Sequence, residues 1–91
     1  MHWAYRNGLV NHVVPADQVM PKAIALAEAI CENGPLAVRL AKEAVYRGLS
    51  LTVEEGLHFE NEQSRKVLSS EDAREGPLAF AQKRKAQYKG R

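Results

Sequence analysis

Residues 35–68 read "PLAVRLAKEAVYRGLSLTVEEGLHFENEQSRKVL" and carry two helix starts and one helix stop in close order. Pro35 suits the first position of a helix, where its missing N–H would have had no partner anyway. Val38, Ala41 and Val45 then recur at helical spacing, with Ala37, Leu40 and Ala44 widening the stripe, and Gly48 closes the segment. Four residues on, Thr52 and Glu55 have the spacing of a capping box, in which the threonine oxygen takes an amide proton of the first turn and the glutamate returns to the cap amide. These signals predict helices over 35–47 and 53–68. The apolar stripe of the second, Val53, Leu57 and Val67, is interrupted by Ser64, and Phe59 falls off it, which points to burial on more than one face.

On the N-terminal side, "VMPKAIALAEAICENG" is rich in alanine and leucine and stops at Asn33 and Gly34, so a helix is predicted over about 19–32 with Pro21 in its first turn. Cys31 within it reads as a small core thiol, buried or half-buried, with no histidine near in sequence to activate it. Before it, "LVNHVV" at 9–14, closed by Pro15, is β-branched and apolar, the one segment with a strand pattern. A single strand of this length needs partners that this chain does not offer. The expectation is therefore a mostly α chain preceded by one short strand whose sheet lies elsewhere, either in a second copy or, the favoured reading, in a larger core of which 1–15 is a remnant.

On the C-terminal side, Ser70 can cap a short helix over 71–75. Gly76 should stop it, and Pro77 should restart a last helix over 77–84. Five of the last nine residues are basic (Lys83, Arg84, Lys85, Lys89 and Arg91), while the formal charge of the whole chain is only +2, so the remainder is net acidic. Basic residues beside Tyr88 suit phosphate or nucleotide contact, and the plain alternative is a solvated end.

At 91 residues this is one domain at most, with a thin core, since so short a chain buries only about two thirds of its unfolded surface. No apolar run approaches the roughly 20 residues of a membrane span, and "MHWAYRNGLV" does not read as a secretory signal, so a cytoplasmic protein with no membrane partner is expected. One cysteine excludes an internal disulfide framework. His2, His12 and His58 have no metal-ligand spacing, and the scattered glycines form no phosphate loop, so no metal site is expected. Glu54 and Glu55 suit the first turn of a helix, where negative charge is favoured, and Glu60 and Glu62 read as surface residues. Ser64, Ser69 and Ser70 lack a base. No catalytic residue is assigned. Nucleic-acid binding is set aside as well, because the charge outside the tail is acidic and no recognition motif is present.

Four stretches, in order, resemble the C-terminal part of the enoyl-CoA hydratase/isomerase (crotonase) family. They are "AYRNGLVNHVVP" at 4–15, "GPLAVRLAKEAV" at 34–45, "EEGLHFE" at 54–60 and "SSEDAREGPLAFAQKRKAQYKGR" at 69–91. The resemblance implies a helical region that follows a spiral β/α core and packs subunits into trimers or dimers of trimers. It implies an acyl-CoA thioester as substrate, no separate cofactor, and hydratase (lyase) or isomerase chemistry of the kind used in fatty acid metabolism. The two glutamates and the oxyanion-hole amides that serve that chemistry lie upstream of the matched region, so this chain alone is expected to be inactive. Ligand contact is what carries over: Phe80 and Lys83 correspond to the residues that reach the adenine and phosphate end of CoA. Arg84, Lys85 and Lys89, together with Tyr88, are weaker candidates. Gln82, Ala86 and Ser64 depart from the family pattern, which often has glutamate, proline and a large apolar residue there. The second expectation, from another class, is a stand-alone helical interaction module that oligomerises with itself or with a full-length relative.

Overall fold

A computed structural model describes residues 1–91 and contains five α-helices. They are α1 (His2–Arg6), α2 (Val19–Cys31), α3 (Pro35–Gly48), α4 (Val53–Leu68) and α5 (Asp72–Ala81), with a 3-10 turn at Ala16–Gln18 before α2. The chain divides into two compact units, Met1–Ile30 and Cys31–Arg91.

In the first unit the expected strand at 9–14 is absent: the segment carries no ladder and runs as bend and irregular chain. Without a second strand its amide and carbonyl groups have no ladder to join, and the β-branched pattern cannot decide the conformation alone. Instead its start completes the end of α1, a helix not foreseen in the sequence. Gly8 (φ 74°) turns left-handed, its N–H donates to the Tyr5 carbonyl (3.2 Å), and the Leu9 N–H donates to the Ala4 carbonyl (2.9 Å). That two-bond closure is how a helix commonly ends at a glycine. Pro21 lies in the first turn of α2 as its chemistry requires. Cys31, expected to be a core thiol, is exposed.

The second unit is built on α3 and α4, which are joined by a four-residue link, 49–52. The capping box forms as its spacing requires: the Glu55 N–H donates to Thr52 Oγ1 (3.1 Å) and the Thr52 N–H donates to Glu55 Oε2 (3.2 Å). The packed face of α3 is the row Ala37, Leu40, Ala44 and Gly48, all half-buried, whereas Ala41 and Val45 of the expected central stripe face outward. On α4 the packed row is Gly56, Phe59, Gln63 and Val67, so Phe59 lies on the buried stripe and Leu57 off it. The reason is close approach at the glycines. A Cβ on Gly56 would lie 3.9 Å from the Gly48 Cα, and such small residues let two helices draw together along that line.

Gln63 is buried at 3% exposure, and its Nε2 donates to Glu43 Oε2 (2.9 Å), while its Oε1 has no partner. Glu43 also pairs with Arg47 (3.1 Å), whose guanidinium lies 5.6 Å from the centre of the Phe59 ring. A chain of polar and cation–π contacts thus runs from the buried Gln63 amide out to the exposed Arg47 guanidinium. The core is thin: Ala79 is the one buried apolar residue, while Val45, Leu49, Val53 (82% exposed) and Leu57 form an uncovered apolar face.

The two short helices expected at 71–75 and 77–84 are one helix, α5. Pro77 lies inside it and Gly76 does not stop it. Pro77 comes soon after the first turn, so it removes a single intrahelical bond, to the Ala73 carbonyl, and the helix runs on. Ser70 caps as expected, its Oγ accepting the Ala73 N–H (3.2 Å).

Candidate functional site

The residues singled out in the sequence fall at the end of α5 and in the ten residues after it. Phe80 is 86% exposed, with its ring standing off the last turn. Beyond the cap at Gln82, Lys83 takes a left-handed backbone (φ 53°); its N–H donates to the Phe80 carbonyl (3.1 Å) and the Arg84 N–H to the Ala79 carbonyl (3.0 Å). Phe80 and Lys83 are thereby joined through one backbone hydrogen bond at a sharp corner. None of the ion pairs in the chain involves Lys83 or Lys85, so both ammonium groups remain available to an anion.

Arg84 is differently placed. Its Nη1 and Nη2 donate to the two carboxylate oxygens of Glu75, its Nε donates to Gln82 Oε1 (2.7 Å), and Nη1 also reaches the Lys85 carbonyl (3.3 Å). The departure from the family pattern at Gln82 thus supplies a neutral acceptor. Glu75 and Arg84 perturb each other in opposite directions. The hydrogen bond from Arg84 holds the Glu75 carboxyl below its ordinary 4.5, and the same bond raises the guanidinium of Arg84.

The remainder of the tail is not the solvated end that the sequence offered as its plain alternative. Asp72, 7% exposed at the start of α5, accepts the Lys89 N–H at Oδ1 and the Gly90 N–H at Oδ2, both at 2.8 Å, and its own N–H donates to the Arg91 carbonyl (2.9 Å). Arg91 reaches back to Glu71 (3.3 Å), and Arg39 of α3 approaches the Gly90 carbonyl (3.4 Å). Tyr88 lies over two glycines: a Cβ on Gly34 would meet its ring at 3.7 Å, and one on Gly76 would stand 3.1 Å from its hydroxyl. Gly34 and Gly76, read from sequence as helix stops, are the two sides of a seat for Tyr88. Lys89 therefore contributes through its backbone, and Tyr88 is an anchor within the fold.

The signal for this anchoring was present in "EDAREG" and "QYKGR", but only as residue types whose partners lie far away in sequence. No cluster of three or more His, Cys, Asp or Glu side chains could hold a metal, and His58 is engaged with Glu62 (3.1 Å) on an exposed face of α4. No helix is long and apolar enough to cross a membrane.

A family model described as enoyl-CoA hydratase/isomerase matches residues 3–91. A Bacillus subtilis protein named for that family is 46% identical over 89 residues, which cover 98% of this chain and 34% of that protein. A carnitinyl-CoA dehydratase of Proteus mirabilis is 47% identical over 93 residues, covering 97% of this chain and 35% of the relative. The crystal structure of an enoyl-CoA hydratase from Bacillus anthracis superposes with a TM-score of 0.93 at 43% identity, over 99% of this chain and 35% of that one. The chain spans about a third of the length of the curated relatives it matches.

Proposed function

The chain belongs to the enoyl-CoA hydratase/isomerase family, and we propose that it supplies the C-terminal helical part of a hydratase-like enzyme, bearing a portion of the CoA adenine and phosphate site. The parent reaction is hydration of a 2-enoyl-CoA thioester. In this reading 1–15 belongs to the end of the core and 16–91 is the assembly region.

The observation that carries the reading is the corner at the end of α5. An aromatic ring left 86% exposed and an unpaired lysine, the latter on a backbone conformation that lysine adopts reluctantly, are joined there through one backbone hydrogen bond. A ring face and a point charge close together suit a purine next to phosphates. Lys85 is free to add charge at the same end, while Arg84 is occupied by Glu75.

Calorimetric titration of the chain with coenzyme A tests this directly. Binding is expected, and Phe80→Ala should weaken it about tenfold, in line with the one or two kcal/mol of a stacked aromatic. Equal affinity in the variant would remove Phe80 from the site. In the same preparation crotonyl-CoA should hydrate no faster than in buffer. Clear turnover would contradict a chain without catalytic residues of its own.

The uncovered apolar face formed by Val45, Leu49, Val53 and Leu57 supports the assembly role, and it equally favours a second reading, a stand-alone helical module that joins copies of itself or a full-length relative. Light scattering during size-exclusion chromatography separates them. A discrete trimer of the chain alone favours the module, and a monomer or an aggregate favours a part that needs its core.

A further inference from the structure

Two helices in this chain end with the same pair of backbone bonds, yet with different residues at the left-handed position. At the end of α1 that residue is Gly8 (φ 74°), and at the end of α5 it is Lys83 (φ 53°), the one residue other than glycine with a positive φ. Glycine is the ordinary choice there because it has no Cβ to crowd the following carbonyl. A lysine in its place strains the backbone, and such strain persists only where surrounding contacts hold it.

Those contacts are visible on either side of Lys83. Gln82 before it accepts from Arg84 after it, and Arg84 spans back to both oxygens of Glu75, one turn before Ala79, whose carbonyl closes the corner. Each of the three guanidinium nitrogens is already donating.

We propose that Glu75 and Arg84 are positioning residues. Their ion pair locks the left-handed turn at Lys83, so that the Lys83 ammonium and the Phe80 ring are presented together to the phosphates and base of a CoA nucleotide, and Arg84 is not itself a phosphate ligand. The proposal rests on the reading of this corner as a nucleotide site.

Charge makes the two roles of Arg84 separable by sign. Glu75→Gln removes a negative charge beside the site and leaves Arg84 unpaired, so simple electrostatics, or an Arg84 that contacts phosphate, would make polyanionic coenzyme A bind as well or more tightly. Positioning requires the opposite. The test is coenzyme A affinity by calorimetry, with amide hydrogen exchange by NMR, for the 91-residue wild-type chain, Glu75→Gln and Arg84→Lys. Lysine keeps the charge of Arg84 but cannot span both carboxylate oxygens.

The expected result is about fivefold weaker binding in both variants, as for loss of preorganisation. Exchange at the Lys83 and Arg84 amides should be faster in both, with α3 and α4 amides unchanged. Unaltered or tighter binding by Glu75→Gln overturns the proposal, as does unaltered exchange at the corner. Should the wild-type chain take up no coenzyme A, the nucleotide-site reading fails by itself. The exchange comparison then still decides the positioning claim, supporting it if the corner loosens in Glu75→Gln and rejecting it if it does not.

Discussion

The Asp72 carboxylate holds Gly90 across eighteen residues of sequence, accepting the Gly90 amide at 2.8 Å with one oxygen while the other takes the amide of Lys89 at 2.8 Å. This clamp turns a basic tail into a fixed strap against α5. It also accounts for the single buried carboxylate of the chain, whose desolvation is offset by two charge-assisted bonds.

Asp72→Asn keeps the side chain's size but leaves one acceptor oxygen for two amides. Denaturation with urea should show a loss of about 1–3 kcal/mol, the usual cost of stranding a buried group and weakening its neighbour. Amide exchange at Lys89 and Gly90 should rise with it. If stability and exchange are both unaffected, the strap is not held by Asp72.

Gly34 and Gly76 form the two sides of the Tyr88 seat, with different clearances. Gly34→Ala meets the ring at ordinary contact distance, 3.7 Å, and should leave the tail in place. At Gly76 the new methyl would stand 3.1 Å from the Tyr88 hydroxyl. That displacement opposes the helix-propensity gain of about 0.8–1 kcal/mol for alanine over glycine. Gly76→Ala should therefore fail to stabilise the chain and should speed exchange near Tyr88. A gain of the full propensity term with an undisturbed tail would show that the seat has slack.

Acid should undo the Glu75–Arg84 pair at a definable place. The folded-state carboxyl of Glu75 lies below its ordinary 4.5 because Arg84 hydrogen-bonds to it, so the unfolded chain binds the proton more readily. The contribution of the pair is then fully present above about pH 4.5 and is lost as pH falls through the lowered folded value. The stability difference between wild type and Glu75→Gln should be level from pH 7 down to about 4.5 and shrink below it. A difference that instead fades between pH 7 and 5 would mean that the carboxyl is not held down by Arg84.

Helices α3 and α4 were legible in the sequence because their signals are local: Pro35, Gly48, and the reciprocal bonds of Thr52 and Glu55 lie within a few residues of what they control. Which face each helix buries was not legible. Gly48 and Gly56 draw the helices together along a line of small residues, and this places Phe59 and Gln63 inside while Val45 and Val53 stay outside. Hydrophobicity alone would bury Val45 and Val53 ahead of Gln63. The strand pattern at 9–14 failed for a related reason, since a strand is a property of a pair of segments.

At the candidate site, Phe80 and Lys83 could be named from the family resemblance, and Arg84 with them. The groups that fix them in place could not. Asp72 works through backbone amides, which have no sequence signature, and Gly76 has the same letter whether it ends a helix or makes room for a ring. The ending of α1 at Gly8, by contrast, is made by backbone bonds within five residues.

The most direct test of the central claim is an NMR titration of the chain with coenzyme A beside a parallel titration with pantetheine, which lacks the nucleotide. A corner that takes the adenine and phosphate end predicts amide shifts at Phe80, Lys83 and Arg84 with coenzyme A and none there with pantetheine. Shifts confined to other residues, or the same response to both compounds, would contradict it.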